Sequence, residues 1–342
     1  TSVGNTATIP VPTGAPGTFT YTLISVTEGS TAACSQAQSG SVTINVNPLP
    51  TANIAGTITV CRNAPAPDIT FTGASGTPPY TFTYTINGGP NQTVTSVGNS
   101  ATVSVPTGTT GTFTYSLVSV QDANGSLCNN PQTGSATVTV NPLPTASISG
   151  TTSVCQNGTA PDITFSGASS TSPYTFTYTI NGGPNQTVTS VGNTATVSVP
   201  TGTPGTYTYT LVSVQDGSPT TCSQAQTGTA TVTVNPSPTA NITGTTSVCL
   251  NAPSPNVTFT GTTGTAPFTF TYTINGGSNQ TVTSVGNTAT VAVPTGTAGT
   301  FTYSLVSVQD ASPNLCSQTQ TGTATVTVNP LPTANISGTI TV

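Results

Sequence analysis

Along residues 51–140 apolar and polar side chains alternate one by one. Tyr80, Phe82, Tyr84 and Ile86 share one face of a segment whose other face is Thr81, Thr83 and Thr85. Ile69 and Phe71 repeat the pattern, as do Ala101, Val103 and Val105, then Phe113, Tyr115 and Leu117, then Ala136, Val138 and Val140. Ala52, Ile54, Ile58 and Val60 predict a single first strand with one inward face. A period of two with threonine outside is the mark of half-buried antiparallel strands, and threonine and aromatic residues suit a pleated surface. Asn87-Gly88-Gly89 signals a hairpin and Pro106-Thr107-Gly108 a turn. No segment carries a helical period. The predicted strands are A (51–60), B (68–73), C (80–87), C′ or D (91–97), E (100–105), F (112–120) and G (134–140).

The pattern recurs every 94 residues. Ile86–Asn99 returns letter for letter as Ile180–Asn193, and Ile274–Asn287 differs only at Ser278. Cys34, Cys128, Cys222 and Cys316 keep the same step, and so do Cys61, Cys155 and Cys249. A fixed internal period sets the architecture before any single residue does. Proline pairs mark the boundaries: Pro48 and Pro50, Pro142 and Pro144, Pro236 and Pro238, Pro330 and Pro332. Two prolines around one residue favour a stiff extended linker. Three full repeats are expected, at 48–141, 142–235 and 236–329. Residues 1–47 read as the C-terminal part of a repeat, and 330–342 as the first strand of a further one. About seven short strands in about 95 residues is the pattern of an immunoglobulin-like sandwich. The expected fold is therefore all-β, a tandem array of such sandwiches. Thr1 falls inside a repeat, so the chain reads as a window on something longer.

Composition then removes whole classes of function. Of 342 residues only 2% are charged, with one basic residue, Arg62, and no His, Met or Trp. Even Arg62 is not a repeated feature, because Gln156 and Leu250 take its place in the next copies. Nucleic acid and anionic membrane both require many basic groups, so neither is an expected partner. Without lysine there is no Schiff base and no lysine–asparagine crosslink. Without histidine the commonest general base and metal ligand is missing. No apolar run approaches the roughly 20 residues of a membrane-spanning helix, so no direct membrane insertion is expected. No catalytic residue, metal ligand or cofactor is expected, and the chain reads as non-enzymatic.

The motifs themselves bear a family resemblance. Thr59-Val60-Cys61 with Asn63, Pro65, Pro67 and Ile69–Gly73, then Pro78–Gly88, then Ser135–Pro144 resemble the tandem Ig-like and PKD-like repeats of very large Bacteroidota surface and gliding-associated adhesins. The resemblance covers the whole chain and marks core strands and linkers. It implies an exported, cell-surface, non-enzymatic repeat protein.

The acids are few. Asp68 and Asp162 open strand B, where the third copy has Asn256. Glu28, Asp122, Asp216 and Asp310 follow strand F and read as solvated loop residues or turn caps. A glycosidase needs two carboxylates within about 10 Å, and these two groups are expected at opposite poles. One carboxylate per loop is too few for a typical calcium cage. Asn-x-Ser/Thr triplets such as those at Asn91, Asn185 and Asn279 permit glycosylation without arguing for it.

The candidate site residues are the seven cysteines, Cys34, Cys61, Cys128, Cys155, Cys222, Cys249 and Cys316. In a chain with no metal-ligand motif they point to disulfides and an oxidising compartment. Three connectivities fit the spacing. Pairing within a repeat gives Cys61–Cys128, Cys155–Cys222 and Cys249–Cys316. Pairing of near neighbours gives Cys34–Cys61 and its copies. Pairing across a junction gives Cys61–Cys222 and Cys155–Cys316. In the usual sandwich the loop after strand A and the F–G loop lie at opposite poles, too far apart for the 7 Å limit between bonded Cα atoms. Geometry thus favours the junction pairing, and the other two stay open.

The expected function is structural: a secreted, extracellular surface fibre, stiffened by disulfides and assembled with itself through edge strands. A net charge of −5 gives little repulsion, and no lysine guards the edges. The alternative is the stalk of an adhesin whose tip, outside this chain, binds a glycan or other surface ligand. Direct binding by threonine arrays is a weaker reading, because a twisted sandwich rarely offers a flat matched spacing.

Overall fold

The computed structural model describes residues 1–340. These residues form an all-β chain of tandem immunoglobulin-like sandwiches, which divides into two compact units, Thr1–Leu143 and Pro144–Val342. The first unit holds one complete sandwich preceded by a shorter β segment. The second unit holds two complete sandwiches.

In the first complete sandwich the strands are A (Thr51–Ala55), A′ (Ile58–Cys61), B (Asp68–Ala74), C (Thr81–Ile86), C′ (Gln92–Thr95), E (Ser100–Ser104), F (Gly111–Gln121) and G (Ser135–Asn141). One sheet has the order E-B-A and the other A′-G-F-C-C′. All neighbours are antiparallel except A′ and G, which run parallel with Cys61 opposite Asn141. The same order recurs in both sandwiches of the second unit.

Where the alternation predicts a single strand over 51–60, the chain makes two, in different sheets. Ile54 turns inward on strand A, whereas Ile58 on A′ is half exposed. Gly56 makes the crossing at φ 122°, and a Cβ there would meet the Asp68 carbonyl oxygen at 2.6 Å. Only glycine fits that conformation and that gap. Thr57 then caps the crossing, its Oγ1 accepting from the Thr137 amide at 3.1 Å. A short strand, Asn129–Pro131, also pairs with the far end of F. Strand F can serve two partners because a bulge at Leu117/Ser119 turns it between them.

Each sandwich closes on its own core. In the first, Ile69, Phe71, Phe82, Val120 and Val138 are wholly buried. Phe71 lies 5.6 Å from Phe82 and 5.1 Å from Tyr84, centre to centre, and such ring pairs add about 0.5–1.5 kcal/mol beyond burial. The rings at 165, 176 and 178 and at 259, 270 and 272 reproduce the arrangement. The aromatic row of strand C is thus core.

In the shorter segment, Gly17–Thr22 pairs with Ser41–Val46 and Ser25–Thr27 with Ser35–Ala37. Residues 330–340 form no strand, and the last two residues of that predicted strand lie outside the described residues.

Candidate functional site: a disulfide junction

The junction inside the second unit brings chemistry together. The A′ strand of its first sandwich, Thr152–Cys155, runs parallel to the G strand Thr229–Asn235, with Cys155 opposite Asn235. The F–G loop of the next sandwich, residues 310–316, reaches this pole. Cys155 and Cys316 are bonded, with Cα atoms 5.6 Å apart. The bond joins positions 161 residues apart in sequence. It is the pairing across a junction; the within-repeat alternatives that used either residue, Cys155–Cys222 and Cys249–Cys316, are excluded.

Hydrogen bonds surround the bond. The Asn314 side chain donates to the Ser153 carbonyl at 2.8 Å and accepts from the Asn235 amide group at 3.0 Å. The Pro236-Ser237-Pro238 linker is tied as well. Ser237 N donates to Gln156 Oε1 at 3.3 Å, and the Ser237 carbonyl accepts from Thr263 Oγ1 at 3.0 Å. The linker is therefore fastened to the sandwich before it and the one after it.

What aims Cys316 is a buried carboxylate. Asp310 is only 3% exposed. Its Oδ1 accepts from the Ser312 hydroxyl at 2.6 Å and the Ser312 amide at 3.2 Å, and its Oδ2 from the Thr265 amide at 3.1 Å. Its own amide donates to the Cys316 carbonyl at 2.9 Å. Asp122 and Asp216 do the same in their loops. Asp122 accepts from Thr77 N, Cys128 N and Asn124 Nδ2. Asp216 accepts from Ser218 and, in a very short contact, from the Ser170 hydroxyl. Of the two readings for these acids, the solvated one is corrected for all three, which are buried, and the turn-cap one holds: they anchor the F–G loop. Of the four acids that follow strand F, the exposed one is Glu28, in the shorter segment. The Ser30 hydroxyl, and behind it Cys34, hold its carboxyl below the usual range.

The cysteines divide by position. Cys61 and Cys222 are disulfide-bonded, like Cys155 and Cys316. Cys34, Cys128 and Cys249 carry free thiols, which corrects their reading as disulfide residues and removes the Cys34–Cys61 and Cys61–Cys128 pairings. Within residues 1–342 no cysteine lies 161 positions onward from Cys249 or back from Cys128 or Cys34.

Nothing catalytic assembles from the acids. Asp68 opens strand B, while Asp122 sits beside Gly76, beyond that strand's other end. Seven residues at about 3.3 Å separate the two by roughly 20 Å. Among the described residues no three metal-ligating side chains cluster, and no helix is long and apolar enough to cross a membrane.

No family model matches the sequence, and no curated protein matches it. Among solved structures, a three-domain segment of titin (I67–I69, an E-to-A variant) aligns with 84% of this chain and 99% of its own, at 13% identity and a TM-score of 0.48. The Escherichia coli adhesin FdeC aligns with 82% of this chain and 96% of its own, at 14% identity and a TM-score of 0.37. The BSP domain of a biofilm-associated protein covers 84% of this chain and 67% of its own, at 14% identity and a TM-score of 0.23. At these identities each similarity concerns the fold alone.

Proposed function

We propose that this chain is the shaft of an extracellular, cell-surface fibre, built from its own repeats and associating with further copies. The junction carries the reading. A flexible tether between binding modules would have no use for a covalent bond, an asparagine clamp and a linker bonded on both sides at one boundary. Together they turn two sandwiches into one rod. Structural disulfides also persist in oxidising compartments, which supports a location outside the cytoplasm. The sequence resemblance to Bacteroidota surface adhesins supports the cell surface in particular. The shaft has no catalytic role in this reading, since its carboxylates are few and divided between opposite ends of the sandwich.

Electron microscopy of the unreduced protein tests it. Filaments of uniform width with an axial repeat of one or a few sandwiches are the expected result. Isolated rods ending in a distinct knob would overturn it in favour of an adhesin stalk.

A further inference from the structure

The fibre reading leaves open which face makes the contact between copies. One side of each sandwich has the required features. There both sheets end in strands with a single neighbour: C′ pairs only with C, and E only with B. The segment joining C′ to E crosses between the sheets as a fixed strap. Buried Ser96 accepts from the Tyr80 amide at 2.7 Å and donates to the Gly98 carbonyl at 2.8 Å, and the Asn99 carbonyl accepts from Gly73 N at 2.8 Å. Ser190 and Ser284 repeat these bonds. At the tip stands Val97, 92% exposed, matched by Val191 and Val285 at 91%. Within the three sandwiches these are the most exposed large apolar side chains. Each of the last two forms one wall of an open hollow, completed by Thr288 and Ala289 beside Val285 (about 500 Å³) and by Thr194 and Ala195 beside Val191 (about 340 Å³). A knob and a hollow on one patch is the self-complementary arrangement that a two-fold contact between like surfaces needs.

Three observations select the partner. Residues 86–105 hold no charged side chain, so a charged polymer or surface finds no counter-charge. The patch is copied almost letter for letter, whereas the A′ end varies through Arg62, Gln156 and Leu250. Finally, one knob and one hollow fall well short of the roughly 1,000 Å² that a stable interface buries. Such a patch holds only if several engage in step. A partner with matching sites every 94 residues is a second copy of this chain.

We propose that copies associate side by side through the C′–E edge, with Val191 and Val285 of one copy seated in the hollows beside Ala195 and Ala289 of the other. This rests on the fibre reading and names its contact. The test is sedimentation velocity of the oxidised full chain over a concentration series, with electron microscopy of the same samples. The double variant Val191→Asp, Val285→Asp is compared with Thr206→Asp, Thr300→Asp, which adds equal charge to exposed positions on strand F. The expected result is assembly by the wild type and the threonine variant, and at least a tenfold higher concentration requirement for the valine variant. Equal assembly by the valine variant would overturn the contact and leave the fibre reading standing. Loss in both variants would assign the effect to charge and also overturn it. A wild type that stays monomeric would overturn both the contact and the fibre reading.

Discussion

Gly150 shows how much of this fold rests on single backbone positions. It holds φ 116° where strand A hands over to A′, and a Cβ there would lie 2.5 Å from the Asp162 carbonyl oxygen. Gly150→Ala is expected to cost more than about 1 kcal/mol, from backbone strain together with the clash. Urea unfolding of the wild type and the variant measures it. Phe176 is wholly buried in the core of one sandwich. Phe176→Ala is expected to cost about 3–5 kcal/mol. Because the cores are separate, the loss should appear as one early transition in calorimetry and not as a uniform shift. Some of these residues were legible in the sequence and some were not. Phe176 sits in plain alternation. The handover at Gly150 is hidden because Ile148 and Thr152 keep the same parity, so the pattern runs on as though the strand did. The buried aspartates read as solvated residues or turn caps because a charge in a Ser- and Pro-rich loop usually is one or the other. Their one signal was a hydrogen-bonding side chain two positions on in every copy: Ser30, Asn124, Ser218 and Ser312.

At the scale of elements, strands B, C, E, F and G follow their predicted spans because each buries one face and exposes the other. The short strand Asn129–Pro131 has no apolar period to betray it, and is held by its place beside F. Strands C and F also set the response to pH. Burial raises the phenol groups of Tyr84, Tyr115, Tyr178, Tyr209, Tyr272 and Tyr303 above the ordinary 10.0. In the unfolded chain these groups ionise near pH 10, so the folded state binds more protons above that value. Their contribution to stability is full below about pH 10 and is lost as pH rises through the raised values. Thermal melts should therefore be insensitive to these groups through neutral pH and fall steeply in alkali. The phenolate absorbance of these six should rise together with unfolding; ionisation of more than four of the ten tyrosines at pH 10 without unfolding would refute the assignment. The F–G loop gives another expectation at this scale. Asp310→Asn replaces an acceptor-only group held by three hydrogen bonds, so oxidative refolding should form the Cys155–Cys316 bond several-fold more slowly. Non-reducing peptide mapping over time reads this directly.

For the whole molecule, the 94-residue step made the array legible. The choice among disulfide pairings depended on which poles of neighbouring sandwiches meet, a property that no single repeat contains. The bond that settled it, Cys155–Cys316, also decides how the chain answers to pulling. Tension entering before residue 155 and leaving after 316 crosses at the two sulfurs. Strands B to G of one sandwich, the linker and strands A to F of the next lie off that route and bear no load. At about 3.3–3.6 Å per extended residue, the sheltered chain amounts to stored length on the order of 500 Å. Oxidised protein held in an optical trap should yield none of it at forces that unfold ordinary sandwiches, and reduction should release it in steps. The stretch between Cys155 and Cys316 is thus inextensible by covalent routing, whatever the mechanical strength of its folds, and its compliance is set by the redox state of its surroundings.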